Sequence, residues 1–138
     1  MESIRSSIHA FGAYEVYLAF EESPIPEVNT KWIVIVHSLS RQSCKWYTTG
    51  SLPLLNGYFK HEMQVMEKSH TLCDYGINKA RIGMIGESEF LLFEALFEAT
   101  EPGKSRQSVV AWLGKCVEEG LLDGRVLKRV MKELEMLR

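Results

Sequence analysis

The stretch Trp32-Ile33-Val34-Ile35-Val36 decides the fold, because it is an uninterrupted apolar run. Its apolar character continues almost unbroken to Leu39, which is typical of a central strand covered on both faces. A membrane-spanning helix needs about 20 apolar residues, far more than this run supplies. We therefore predict that residues 32–39 form a central strand of a sheet.

Further strands are predicted on both sides of this run. Residues 14–20 are rich in aromatic and branched side chains, and residues 44–49 follow the central run after a short polar turn, as in an antiparallel hairpin. Residues 58–67 alternate apolar and polar side chains, which favours a strand, although the spacing of the methionines also permits a short helix. Residues 80–86 complete the set as a short last strand.

After Gly86 the periodicity becomes helical. Ser88 is predicted to cap a helix that runs to about Thr100, Ser105 to cap a second helix, and Asp123 to cap a third. Gly120 is predicted to end the second helix in the left-handed conformation. The apolar residues of the first helix are Phe90, Leu91, Phe93, Leu96 and Phe97.

Strands that come first and helices that follow predict an α+β fold. We expect a small antiparallel sheet of about four to five strands, packed on two or three helices, in a single domain spanning residues 1–138. The sequence contains no internal repeat or low-complexity tract that would divide the chain.

The charge balance argues against two classes of partner. The 138 residues include 16 Lys and Arg against 18 Asp and Glu, which gives a formal net charge of −2. Such a chain has no long-range attraction for nucleic acid or an anionic membrane, so neither partner is expected. The first ten residues lack the layout of a secretory signal, and we expect a cytoplasmic protein.

The cysteines and histidines do not form a metal-binding pattern. Cys44, Cys73 and Cys116 are far apart, and no Cys-x-x-Cys or His-x-x-x-His pair exists, so no metal site is predicted. We expect the thiols to be buried and reduced. The phosphate-loop and dinucleotide fingerprints are missing as well, and we predict no cofactor.

Two segments resemble a known family. Thr30-Lys31-Trp32-Ile33-Val34-Ile35-Val36 resembles the His-Trp-apolar strand of circularly permuted papain-like (NlpC/P60-like) domains, and Ser105-Arg106-Gln107-Ser108-Val109-Val110-Ala111-Trp112-Leu113 resembles their Asn-Cys-Gln helix start. The chain is also similar to small fungal proteins of this layout. The resemblance implies a papain-like scaffold and a role in fungal secondary metabolism.

The chain departs from that family at the two positions that carry its chemistry. In the family, a strand histidine activates a cysteine at a helix start, where the helix dipole and the imidazole both favour the thiolate. Here Lys31 and Arg106 occupy those positions. Neither can act as the thiol or as its imidazole base, so thiol hydrolysis is not expected.

Polar residues on apolar strands supply other candidates for catalysis. Lys31 and His37 share one face of the central strand, and His61 lies among apolar residues in the segment 58–67. Each histidine is either a hydrogen-bonded core residue or a general acid or base in a pocket. Lys31 or Arg106 would then stabilise a developing oxyanion. The aromatic residues that would shape the pocket, or else build the core, are Trp32, Trp46, Tyr47, Tyr58 and Phe59.

Two functions follow from these residues. The first is a cofactor-independent enzyme of the isomerase, cyclase or lyase type, acting on a small-molecule substrate. The second is a non-catalytic binding or interaction domain, in which the missing dyad needs no replacement. An exposed apolar patch on the sheet or the last helix would favour the second, as a homodimer.

Overall fold

The computed structural model describes residues 14–21, 31–39, 43–53, 59–69, 78–103 and 105–136. Its strands are β1 (Tyr14–Glu21), β2 (Lys31–Ser38), β3 (Ser43–Pro53), β4 (Phe59–Ser69) and β5 (Asn78–Ile85). Its helices are α1 (Glu87–Glu98), α2 (Ser105–Glu118) and α3 (Gly124–Met136). The predicted α+β fold, with strands first and helices afterwards, is confirmed.

The five strands form one antiparallel sheet in the order β4-β3-β2-β1-β5. The apolar run is its middle strand, as predicted, and every residue of β2 from Trp32 to Ser38 is buried. The ambiguous segment is a strand, because β4 pairs with β3 at all eleven positions from Phe59 to Ser69. The alternation of side chains was therefore the correct signal there.

The sheet has two apolar faces. On one, which we call the helix face, Val16, Leu18, Trp32, Val34 and Tyr47 pack against the helices. On the other, the opposite face, a smaller buried cluster contains Ala19, Ile33, Ile35, Cys44 and Trp46. Successive residues of a strand point to alternate faces, and this assigns each side chain of β2 to one face or the other.

An aromatic cluster joins the helices to the sheet. Trp112 of α2 is fully buried, and its ring centroid lies 4.6 Å from that of Phe93, 4.8 Å from Phe97 and 5.2 Å from Tyr47. Its indole Nε1 donates a hydrogen bond of 3.0 Å to the Phe93 carbonyl. This bond satisfies the polar atom of an otherwise apolar side chain, so Trp112 fixes α1 and α2 against β3.

The helix ends agree with the sequence at two positions and differ at one. Gly120 has a φ of 77° after α2, and Asp123 Oδ1 accepts a hydrogen bond of 2.8 Å from the Arg125 N–H at the start of α3. The prediction that Ser88 caps α1 was wrong, because Gly86 is the cap residue and Ser88 lies inside the first turn. There the Glu89 carboxylate accepts from the Gly86 N–H at 3.2 Å. The prediction for Ser105 falls on the first residue of α2, next to residue 104, which lies outside the described residues.

The apolar residues of α1 do not all face inward. Leu91 is 78% exposed, whereas Phe93 and Phe97 are buried. The five apolar residues span a wider arc of the helix than the sheet covers, and Leu91 lies beyond it.

The cysteines differ from the expectation of reduced thiols. Cys116 is free and fully buried, as expected, and its burial raises the pKa of the thiol to about 12. Cys44 is disulfide-bonded, which overturns the expectation for that residue. Spacing gave no sign of the bond because a disulfide depends on how the fold places the side chains. Cys73 lies outside the described residues.

Candidate functional site

The predicted site residues are divided between the two faces of the sheet. Lys31, His37 and Trp46 belong to the opposite face, by the alternation along β2 and its register with β3. Trp32 and Tyr47 are buried on the helix face, where Arg106 also lies. Tyr58, and the side chains of Phe59 and His61, lie outside the described residues. The structure therefore does not bring His37 together with Arg106, Trp32 and Tyr47 in one pocket.

His37 takes part in a polar network on the opposite face. Its imidazole is 5% exposed, and Nε2 lies 3.0 Å from the Lys79 Nζ. Lys79 Nζ also lies 4.5 Å from the ring centroid of Tyr17, whose hydroxyl donates to Glu15 at 3.2 Å. An ammonium group can only donate, so in this contact the imidazole is the acceptor. His37 thus has the contacts of a hydrogen-bonded core histidine.

Arg106 connects two helices. Its Nη2 and Nε donate to Glu135 Oε1 at 2.6 and 3.1 Å, which joins the start of α2 to the end of α3. The guanidinium carbon lies 5.8 Å from the ring centroid of Trp32. These contacts give Arg106 a structural role between the two helices.

A groove that the sequence did not predict lies between β4 and α1. We call it the β4–α1 groove, and its volume is about 430 Å³. It is lined by Glu62, Met63, Val65, Glu94, Phe97, Glu98, Thr100 and Pro102. Its size is within the range of small-molecule sites, and its apolar side chains with a few polar groups are the usual lining of such sites.

Glu94 is the best-positioned polar group in this groove. Its Oε2 accepts a hydrogen bond of 2.9 Å from the Tyr47 hydroxyl and lies 3.5 Å from the Lys45 Nζ. Within the described part of the chain, the carboxylate makes no further hydrogen bond or ion pair. Two neighbours therefore orient the carboxylate through one oxygen, and Oε1 is left for a ligand.

Tyr47 is rigidly held beneath the groove. Its ring is fully buried, with centroids 5.1 Å from Phe97 and 6.0 Å from Phe93. Burial, followed by the hydrogen bond to Glu94 and the charge of that carboxylate, raises the pKa of the phenol well above its usual range. Tyr47 therefore stays protonated and donates to Glu94 at neutral pH, which makes it a positioning residue.

The sequence contained one signal of this site. Glu94 lies four residues after Phe90 and three before Phe97, so a charged residue occupies the inward side of an apolar helix stripe. A charge in that position needs a partner. The partners, Tyr47 and Lys45, lie on a strand more than 40 residues earlier, and only the fold brings them close.

Two other depressions are weaker candidates. A cavity of about 30 Å³ beside Ser38, Lys45 and Phe90 has room for one or two water molecules. A wide, shallow depression between α2 and α3 is lined by Val117, Leu127 and neighbouring residues, with no buried polar group among its lining.

The structure and the comparisons with known proteins add three findings. The described residues contain no group of three or more side chains that could hold a metal ion. Of the helices in the described ranges, none is long and apolar enough to cross a membrane. No family model, curated protein or solved structure matches the chain.

Proposed function

We propose that this protein binds a small organic cation in the β4–α1 groove. The observation that carries the proposal is Glu94, whose carboxylate is oriented by Tyr47 and Lys45 through Oε2 while Oε1 is free within the described structure. A carboxylate held in this way accepts a charge-assisted hydrogen bond, which is about twice as strong as one between neutral groups. A ligand with an N–H donor and a positive charge fits it best.

The charge around Glu94 favours a cation over an anion. Glu98 lies one turn further along α1, and Glu62 is at the rim of the groove on β4. Lys45 is the cation in contact with Glu94, so the carboxylates outnumber it. An anionic ligand would meet the carboxylates of Glu94 and Glu98, whereas a cation would replace water at the free oxygen.

The apolar lining selects the rest of the ligand. Met63 and Phe97 pack against the core beneath the groove, and Val65 is 45% exposed at its surface. Covering such side chains stabilises a complex by about 25 cal/mol for each Å² removed from water. We infer an ammonium group joined to an aromatic or branched apolar part.

A second candidate function is catalysis on the same ligand. The supporting observation is again Glu94, since an oriented carboxylate with a free oxygen can transfer a proton to or from a bound molecule. This would be a cofactor-independent isomerase, cyclase or lyase, with Glu94 as the catalytic residue and Tyr47 as its positioning residue. Catalytic roles for His37, His61, Lys31 and Arg106, the papain-like layout and a place in fungal secondary metabolism stay predictions.

The proposed cytoplasmic localisation has one observation against it. Disulfides persist in oxidising compartments and are rare in the cytoplasm, and Cys44 is disulfide-bonded. Cell fractionation with alkylation of free thiols would decide the question: three alkylated cysteines in a cytosolic fraction support the cytoplasm, and a protected pair in a secreted or luminal fraction contradicts it. The absence of nucleic-acid and membrane partners also stays a prediction.

The binding proposal is tested by calorimetric titration with phenethylammonium. We expect binding of this cation and none of 2-phenylethanol or phenylacetate, which keep a similar shape without the positive charge. Glu94→Gln should weaken binding about ten- to a hundredfold, because a hydrogen bond to a charged group contributes about 1.5–3 kcal/mol. The matched control is Glu119→Gln, which removes the same charge from an exposed position away from the groove. Equal binding by all three ligands, or equal losses in both variants, would contradict the proposal.

A further inference from the structure

The outer edge of β4 is long and regular. β4 pairs with β3 at eleven consecutive positions without a bulge, whereas the pairing of β1 with β5 shifts register between Val16 and Tyr17. Among the described strands, none pairs with the outer side of β4. An edge strand has backbone N–H and C=O groups that point away from the sheet, and proteins usually cover or interrupt such edges.

Apolar side chains stand exposed near the middle of this edge. Val65 is 45% exposed and Met66 is 39% exposed, and as neighbours in a strand they lie on opposite faces of the sheet. An added strand would cover both of them while it hydrogen-bonds to the outer backbone groups of β4, which no described strand pairs. The feature to be explained is therefore a bulge-free edge with one exposed apolar side chain on each face.

We propose that a second copy of this chain pairs with β4 through its own β4, antiparallel and related by a two-fold axis at Val65. In this register Glu62 stands at the position opposite Lys68 of the second copy, and the two-fold symmetry repeats this pair of opposite charges at the other end. A pairing centred on Gln64 would instead place Lys60 opposite Lys68. The charge pattern of β4 is thus self-complementary in the Val65 register.

The dimer completes the β4–α1 groove, and this part of the inference rests on the proposed function. In the Val65 register, odd-numbered residues of one β4 are opposite odd-numbered residues of the other. The helix faces of both copies therefore lie on the same side of a ten-stranded sheet. Val65 lines the groove and lies at the two-fold axis. The two grooves therefore adjoin, and β4 of each copy bounds the groove of the other on its open side.

Charge exchange tests this register in the full-length chain. We expect sedimentation equilibrium to show a dimer for the wild-type protein. Glu62→Lys and Lys68→Glu, made separately, each place like charges opposite each other twice and should raise the dimer dissociation constant at least tenfold. The double variant E62K/K68E restores opposite charges and should return the constant to within about threefold of the wild-type value. Circular dichroism of all four proteins controls for folding.

The possible outcomes distinguish failure of the proposed dimer from failure of the proposed cation binding. A wild-type protein that stays monomeric at every concentration measured, or a double variant as weak as the single ones, would overturn the proposed dimer. The edge would then be open to a strand from another protein. A monomer that still binds phenethylammonium would overturn the dimer and leave the proposed function in place. A dimer that binds no cation would overturn the proposed function and leave the dimer in place.

Discussion

The helical part of the chain packs closely against the β5 edge of the sheet but leaves a groove at the β4 edge. At the β5 edge, Ile82 is 1% exposed, and a Cβ atom built on Gly83 would lie only 2.9 Å from the Leu122 Cδ2. At the β4 edge, Val65 is 45% exposed and a groove of about 430 Å³ separates the strand from α1. At the β5 edge, the lack of a side chain on Gly83 lets Leu122 pack against the strand, and we call this the closed edge. At the β4 edge, the groove separates the strand from α1, and we call this the open edge.

The difference has a physical cause in the residues that face each edge. Gly83 has no side chain, so the connection between α2 and α3 comes into contact with β5. α1 carries Glu94 and Glu98 toward β4, and burying an ionised carboxylate is costly unless it is paired. The charges therefore stay near water and keep α1 from closing onto the strand. The open edge is where a ligand can be bound.

The largest expected effect is a difference in stability between truncations at the two edges. Ile82→Ala should lower the free energy of unfolding by about 2–5 kcal/mol, because it leaves a cavity in the core. Val65→Ala, at a half-exposed position, should cost less than about 1 kcal/mol. Urea denaturation measures both. Equal losses would mean that the β4 edge is as tightly packed as the β5 edge.

Alkaline pH should also lower the stability of the protein through the buried Cys116 thiol. The pKa of the Cys116 thiol is raised from 9.0 to about 12 by burial, so the folded state keeps its proton at pH values where the unfolded state has lost it. Stability from this group is complete below pH 9 and falls by about 1.4 kcal/mol per pH unit up to about pH 12.

Cys116→Ala is the control for that dependence, since it removes the thiol. The variant starts at a lower stability because of the cavity, but its stability should fall less steeply with pH above 9. Parallel curves for the two proteins in urea denaturation at pH 8–11 would show that Cys116 does not titrate in this range.

A smaller effect is expected from filling the closed edge. Gly83→Ala places a methyl group against Leu122 and should cost about 1–3 kcal/mol, as overpacking of a core usually does. The same substitution in a Leu122→Ala background should be nearly neutral, because the contact atom is gone. A full cost in both backgrounds would assign the loss to the strand backbone instead of to the contact with Leu122.

The smallest expected effect lies beneath the open edge. Tyr47→Phe removes the hydroxyl that donates to Glu94 and should lower stability by about 1 kcal/mol. It should also weaken phenethylammonium several-fold, because the carboxylate is then oriented by Lys45 alone. If stability falls and affinity does not, Tyr47 has a structural role only.

The sequence predicted the parts of the fold that local patterns determine. The apolar run from Trp32 to Val36 identified the middle strand, and the alternation in residues 58–67 identified β4. Ser88 was assigned as a cap because its side chain suits that role, but the cap residue is Gly86, two residues earlier. Which of two nearby residues begins the helix depends on the backbone conformation between β5 and α1. Local sequence patterns do not determine that conformation.

The candidate site could not be predicted from the sequence, because it depends on how the strands and helices are arranged in the fold. The predicted pocket joined His37 to Tyr47 and Arg106, which alternation and packing place on different faces. The groove is formed instead by an edge strand and a helix, and its carboxylate is oriented by Tyr47 over a separation of 47 residues. Only the strand order shows which edge is open.

The most direct test of the account is to locate a bound cation by backbone-amide NMR. On titration with phenethylammonium, we predict that the largest chemical-shift changes occur in β4 and α1, at Met63, Val65 and Phe97, and that Ile82 at the closed edge and His37 on the opposite face are unchanged. The largest changes at His37 or along β5, or none at any residue of the groove, would contradict the claim that the open edge is the binding site.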